Sequence, residues 1–168
     1  MFDWAIEAML ARRRNHHEGT DLVRSVLGAR VTGLRRHVFL LDRVNDENGH
    51  GITELITETG TLAIGAGPND ESIVIAPGPV DPGTLDPSLW TPVITDPEGR
   101  WNNLRGRAIR FVDIYTNGFE DVAFLFSLTD DQRFSVALHE TNLVFGKELE
   151  HFRRDGRRDV PRFRERIQ

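Results

Sequence analysis

The chain has 168 residues, 39% hydrophobic and 28% charged, with a formal net charge of −5 and no cysteine. That length supports one good core and is marginal for two. The missing cysteines exclude disulfides, thiolate metal sites and a cysteine nucleophile. No apolar run approaches a membrane span. Asp3 and Glu7 interrupt the apolar N-terminal stretch, which speaks against a signal peptide, so a cytoplasmic location is expected.

Charge is uneven along the chain. Residues 153–168 carry a net +4, which leaves −9 for residues 1–152, and Lys147 is the single lysine beside twenty arginines. The expectation is an acidic body whose basic tail pairs with that body or with a neighbouring subunit.

Taken in order, residues 2–14 read as a helix. Phe2, Ile6, Met9 and Leu10, with Ala5, fall on one apolar face, and Arg12, Arg13 and Arg14 complete its last turn. Residues 15–19 read as a break, and Thr20 as the N-cap of a second helix that buries Leu22, Val23, Val26 and Leu27 and stops at Gly28. Strand signals follow. Residues 29–44 exceed one typical strand, so Gly33 marks a bulge or bend. Asn48-Gly49 nucleates a hairpin, Thr59-Gly60 and residues 67–70 turn the chain again, and Ser72 to Ala76 closes a four-stranded meander.

Residues 77–105 hold six of the eight prolines together with Trp90 and Trp101. The expectation is an irregular connector that wraps over the body, anchored by its indoles. A second meander then runs through 106–152. Arg107 to Tyr115 is a strand, Asn117-Gly118 a turn, and Val122 to Leu128 a strand apolar on both faces and so central. Phe134 to Leu138 alternates, Asn142 to Phe145 is the last strand, and Lys147 to Arg154 reads as a short helix. Residues 155–168 read as frayed or domain-swapped.

The two halves can be laid over each other. Gly28-x-Arg30-Val31 matches Gly106-Arg107-Ala108-Ile109, Asn48-Gly49 matches Asn117-Gly118, and Thr57 matches Thr129. An internal duplication would give two similar sheets related by a pseudo-two-fold and sharing one core. The expected fold is therefore α+β and mostly β: two antiparallel four-stranded meanders packed around one core, with one or two N-terminal helices and a short C-terminal helix. It is a single domain over 1–168. Its parts are a helical N-terminus (1–27), the first meander (28–76), the Pro-rich connector (77–105), the second meander with its helix (106–152) and the Arg-rich tail (153–168).

Catalytic patterns are missing from the sequence: there is no Gly-x-Ser-x-Gly and no phosphate loop. His16-His17-Glu18, His139-Glu140 and His151 lack metal-ligand spacing, and Asp46 and Asn48 begin a calcium-loop pattern that nothing completes. No metal, cofactor or catalytic residue is assigned.

The first functional expectation is a non-enzymatic protein-interaction module whose acidic body masks a basic partner, as an inhibitor or immunity-type protein would, with self-association as a homodimer. The second is a ligand-binding protein or hydrolase with a cleft near Trp90, Trp101 and Tyr115. The third is nucleic-acid binding through the tail, with Arg157 and Arg158 as phosphate contacts. The third is the less favoured, because one aromatic, Phe163, gives little base stacking.

Overall fold

In the computed structural model the described residues are 3–39, 52–67, 72–81, 90–94, 102–139, 142–146 and 161–168. They form one helix, α1 (Asp3–Ser25), and ten strands: β1 (Val31–Phe39), β2 (Thr53–Thr57), β3 (Thr61–Ala66), β4 (Ile73–Pro77), β5 (Trp90–Ile94), β6 (Ile109–Thr116), β7 (Asp121–Leu128), β8 (Arg133–His139), β9 (Asn142–Gly146) and β10 (Arg162–Ile167). The class is α+β and mostly β. Each expected meander is present, β1–β4 and β6–β9, and every pairing is antiparallel.

Each sheet has five strands rather than four. The first is ordered β5-β1-β2-β3-β4 and the second β10-β6-β7-β8-β9. In both, the last strand of the half returns to lie beside the first. Part of the expected irregular connector is thus strand β5, with Pro92 opposite His37. β5 is an edge strand, where proline costs little because the outer ladder is open. Likewise 162–167 is neither frayed nor swapped: it pairs with β6 of its own chain. Its alternating arginines hid it, since charge on an edge strand protects the open ladder. The asparagine-glycine turn at 48–49, the short helix at 147–154 and Trp101 lie outside the described residues.

The first strands of the two halves meet where they begin. Arg30 bridges Ala108. Gly28 N–H donates to the Ile109 carbonyl and Gly106 N–H to the Val31 carbonyl, both at 2.8 Å. Val31 N–H donates to Arg107 and Ile109 N–H to Ala29, at 2.9 and 3.0 Å. Gly28 and Gly106 adopt φ of 78° and 77°, a left-handed conformation that a side chain opposes. Beyond them β1 bulges between Val31 and Gly33 and β6 between Ile109 and Phe111. The registers then match Thr57 with Leu128, one residue away from the expected match with Thr129.

The inner faces of both sheets contribute to one apolar cluster. Val31, Leu55, Leu62, Ile64, Ile73 and Ile75 come from the first sheet, and Ile109, Val112, Ile114, Phe124, Phe126, Phe134, Val136 and Ile167 from the second. All eight residues of β7 are buried, as expected for a strand covered on both faces. The helix joins the cluster through Val23, with Val26 just past its end.

The expected break at 15–19 is absent, and α1 runs on to Ser25. His16 and Thr20 are buried, Thr20 Oγ1 donates to the His17 carbonyl at 2.9 Å, and Gly19 lies beside Ile75 of β4. Contacts with the body outweigh the low helix propensity of the Asn-His-His-Glu-Gly segment.

Candidate interaction surface

The helix has two unlike halves. Its second half lies on the body along His16, Thr20 and Val23, at i, i+4 and i+7. The same spacing in the sequence marks one continuous buried face, and it is the signal that reading His16-His17 as a solvated loop misses.

His16 fastens this half. Its Nδ1 is 2.6 Å from Asp121 Oδ2 and its Nε2 is 2.5 Å from Glu165 Oε1. Each ring nitrogen thus faces a carboxylate oxygen. Arg164 Nη1 donates to the other oxygen of Asp121 at 2.8 Å. Three elements distant in sequence, α1, β7 and β10, therefore converge on Asp121. His16 and Asp121 are 9% and 7% exposed, so losing one member leaves buried charge, at a cost of about 3–5 kcal/mol.

One turn earlier, Arg12 Nε donates to Glu120 Oε1 at 2.8 Å, and its guanidinium lies 5.9 Å from the centre of the Phe119 ring. Phe119 belongs to the β6–β7 turn. There Asn117 Oδ1 accepts from the Phe119 and Glu120 N–H groups, and Gly118 takes φ of 107°. Only Gly118 of the asparagine-glycine pair uses positive φ.

A cleft of about 30 Å³ lies among Arg12, His16, Ser72, Glu120, Asp121 and Arg164. That is room for ordered water and too little for a substrate. Among the described residues no group of three or more His, Asp or Glu is arranged to hold a metal.

The other half of α1 departs from expectation. The face read as buried is largely bare: Ile6, Met9 and Leu10 are each about half exposed. Phe2 and the side chain of Ala5 lie outside the described residues. For Ile6 and Leu10 the reason is rotational: with His16, Thr20 and Val23 turned to the body, 100° per residue carries both well away from it, whereas Met9, seven residues before His16, falls on the same side as His16 and the rotation does not account for its exposure. The remaining exposed large apolar side chains among the described residues are Phe119 and Phe163, at 75% and 57%. Phe163 pairs in register with Tyr115 on β6, their ring centres 6.0 Å apart. Ile6, Met9, Leu10 and Phe119 thus belong to the end of the molecule where α1 starts and β6 turns into β7, while Phe163 lies on the Tyr115 face of β10, opposite to the face on which Glu165 meets the helix.

Of the residues singled out from sequence, Tyr115 is the one with a described side chain, and it lies at this end, against Phe163. Trp90 opens β5 in the other sheet, opposite Phe39, and its side chain is outside the described residues, as are Trp101, Arg157 and Arg158. Within the tail, Arg164 and Arg166 are engaged by the body. Arg166 grips Asp113 with two bonds of 2.6 and 2.9 Å and lies 4.0 Å over the Phe111 ring. The hydrogen bond to Asp113 raises the Arg166 pKa above the ordinary guanidinium value, and desolvation opposes the rise. For these two arginines the expected pairing of tail with acidic body is what the contacts deliver, which takes them from any role as free phosphate ligands.

No helix among the described residues is long and apolar enough to cross a membrane. Comparison with protein-family models, with curated proteins and with solved structures finds no match.

Proposed function

We propose that this protein is a non-enzymatic protein-interaction module that binds through the end where α1 starts. One observation carries the reading: four of the five exposed large apolar side chains among the described residues, Ile6, Met9, Leu10 and Phe119, belong to the start of α1 and the turn it meets. Scattered surface hydrophobics need no explanation, but a grouped set marks a contact site. Phe, Met and Arg are the residue types that protein interfaces enrich. The scaffold beneath is rigid, because Arg12–Glu120 and His16–Asp121–Arg164 tie helix, turn and edge strand together. The acidic balance of residues 1–152 supports a basic partner elsewhere on the body, the inhibitor-like role expected from sequence.

The test places a photo-crosslinking side chain at Leu10 in one protein and at Asp131 in another. Asp131 is exposed in the β7–β8 turn, at the opposite end of β7. A discrete heterologous adduct from Leu10, and none from Asp131, is the expected result. Equal labelling at both positions, or none at either, removes the assignment.

A further inference from the structure

The chemistry of this end narrows what it can bind. Beside the apolar stripe of α1, Arg13 and Arg14 are exposed, and so is Arg162 at the start of β10. No described carboxylate pairs with any of the three. The nearby carboxylates Glu120, Asp121 and Glu165 are already taken by Arg12, Arg164 and His16. Among the described side chains, the unpartnered acids on the neighbouring turns of the helix are Glu7 and Glu18, two against the three arginines. A protein with net charge −5 therefore presents a locally positive surface where its apolar side chains are bare.

We infer that the occupant of this surface is an acidic amphipathic helical segment of another protein. This rests on the interaction-module reading above and adds the partner's chemistry. Ile6, Met9 and Leu10, at i, i+3 and i+4, offer a ridge against which a second apolar helix face packs. Phe119 lies next to this part of the helix, 5.9 Å from the guanidinium of Arg12, which is three residues past Met9. The partner's carboxylates then meet Arg13, Arg14 and Arg162, which lie at the rim and so favour encounter and register. A second copy of this chain fits less well. A two-fold contact through this end would bring two sets of the same three arginines into one interface, with only the two unpartnered acids of each copy to answer them. An anionic membrane surface is also poorly matched, because the rest of the chain carries the repelled sign.

The experiment titrates the full chain with a synthetic helical peptide of roughly 15 residues, with Leu at i, i+3, i+4 and i+7 and Glu between. A Lys-for-Glu version and vesicles of phosphatidylcholine with phosphatidylserine serve as alternatives. The Glu peptide is expected to bind and to weaken with salt. Arg13→Glu/Arg14→Glu and, separately, Ile6→Ser/Leu10→Ser are each expected to weaken it by about tenfold or more. All four positions are exposed, and circular dichroism checks that the fold is retained.

The inference is overturned by the Lys peptide binding as well as the Glu peptide, by vesicles binding in place of either, or by binding indifferent to Ile6 and Leu10. A silent Glu peptide alongside a specific Leu10 adduct overturns the acidic partner and leaves the module standing. Silence in both removes both.

Discussion

The two sheets share a frame and differ in what they do with polarity. Strand order, bulge position and registers correspond from β1–β2–β3 to β6–β7–β8. On the inner face the matched residues are alike in kind: Val31 and Ile109, Leu34 and Val112, Leu55 and Phe126, Leu62 and Phe134, Ile64 and Val136. Elsewhere they part. Arg36 and Thr53 of the first sheet occupy the places of Ile114 and Phe124 in the second. On the outer face Arg35, His37 and Glu54 stand where Asp113, Tyr115 and Leu125 do. In the first sheet the charge is gathered on Glu54, which is fully buried. Its Oε2 is 2.9 Å from His37 Nε2 and 3.4 Å from Arg35 Nη1, and its Oε1 accepts the Val80 N–H at 2.5 Å. In the second sheet the carboxylate has moved to Asp113, and Arg166 of the added strand answers it. The lesson is that the backbone frame tolerates either arrangement, provided each buried charge has its own partners.

The broadest way to break the comparison is through the core that both sheets are said to share. Phe126→Ala is expected to cost about 3–5 kcal/mol, and its counterpart Leu55→Ala about 2–5 kcal/mol, because both side chains are buried and leave cavities. Urea unfolding followed by tryptophan fluorescence and by far-UV circular dichroism should give one coincident transition in each variant. If one half melts while the other persists, the two sheets do not share a single interior.

How much of this frame can be read from sequence depends on where packing decides the outcome. β7 is legible because Val122 to Leu128 is apolar on both faces, and burial on both sides is the outcome that pattern allows. The bulge beside Gly33 and the turn at Gly118 are legible because glycine marks them. β5 and β10 are not. Pro92 and the arginines of β10 suit an open edge and so resemble loop and tail. The continuity of α1 is not legible from propensity either, since His16 stays helical through contacts with Asp121 and Glu165, more than a hundred residues away in sequence. The exposure of Ile6 and Leu10 follows from the same cause. Periodicity finds an apolar stripe, but the rotation of the helix, set by His16, decides which stripe is covered.

A sharper comparison exchanges chemistry between matched positions. Glu54→Leu installs the residue type that β7 carries at 125. It is expected to cost about 3–5 kcal/mol, since His37, 3% exposed, loses its carboxylate. Glu54→Leu/His37→Tyr, which installs both counterparts, should recover part of that loss, because the buried nitrogen left unpaired in the single variant is gone. Denaturant midpoints of the two variants decide it. A single variant within about 1 kcal/mol of the parent means that Glu54 does not hold the outer face together.

The smallest effects test the join itself. A Cβ added at Gly28 or at Gly106 meets no atom within 4 Å, so space is open at both. The backbone is the obstacle, with φ of 78° and 77°, and the left-handed region costs a non-glycine residue about 1–2 kcal/mol. Gly28→Ala and Gly106→Ala should therefore destabilise by similar amounts, each well below Glu54→Leu. Gly28→Asn and Gly106→Asn should be milder, since asparagine tolerates that conformation. Each glycine N–H also donates across the join, to Ile109 or to Val31, and alanine keeps that donor. The alanine cost therefore reports φ alone. Unequal costs in urea titrations, with one alanine neutral and the other not, show that the two glycines hold unlike backbone conformations and that the frame is not repeated where the halves meet.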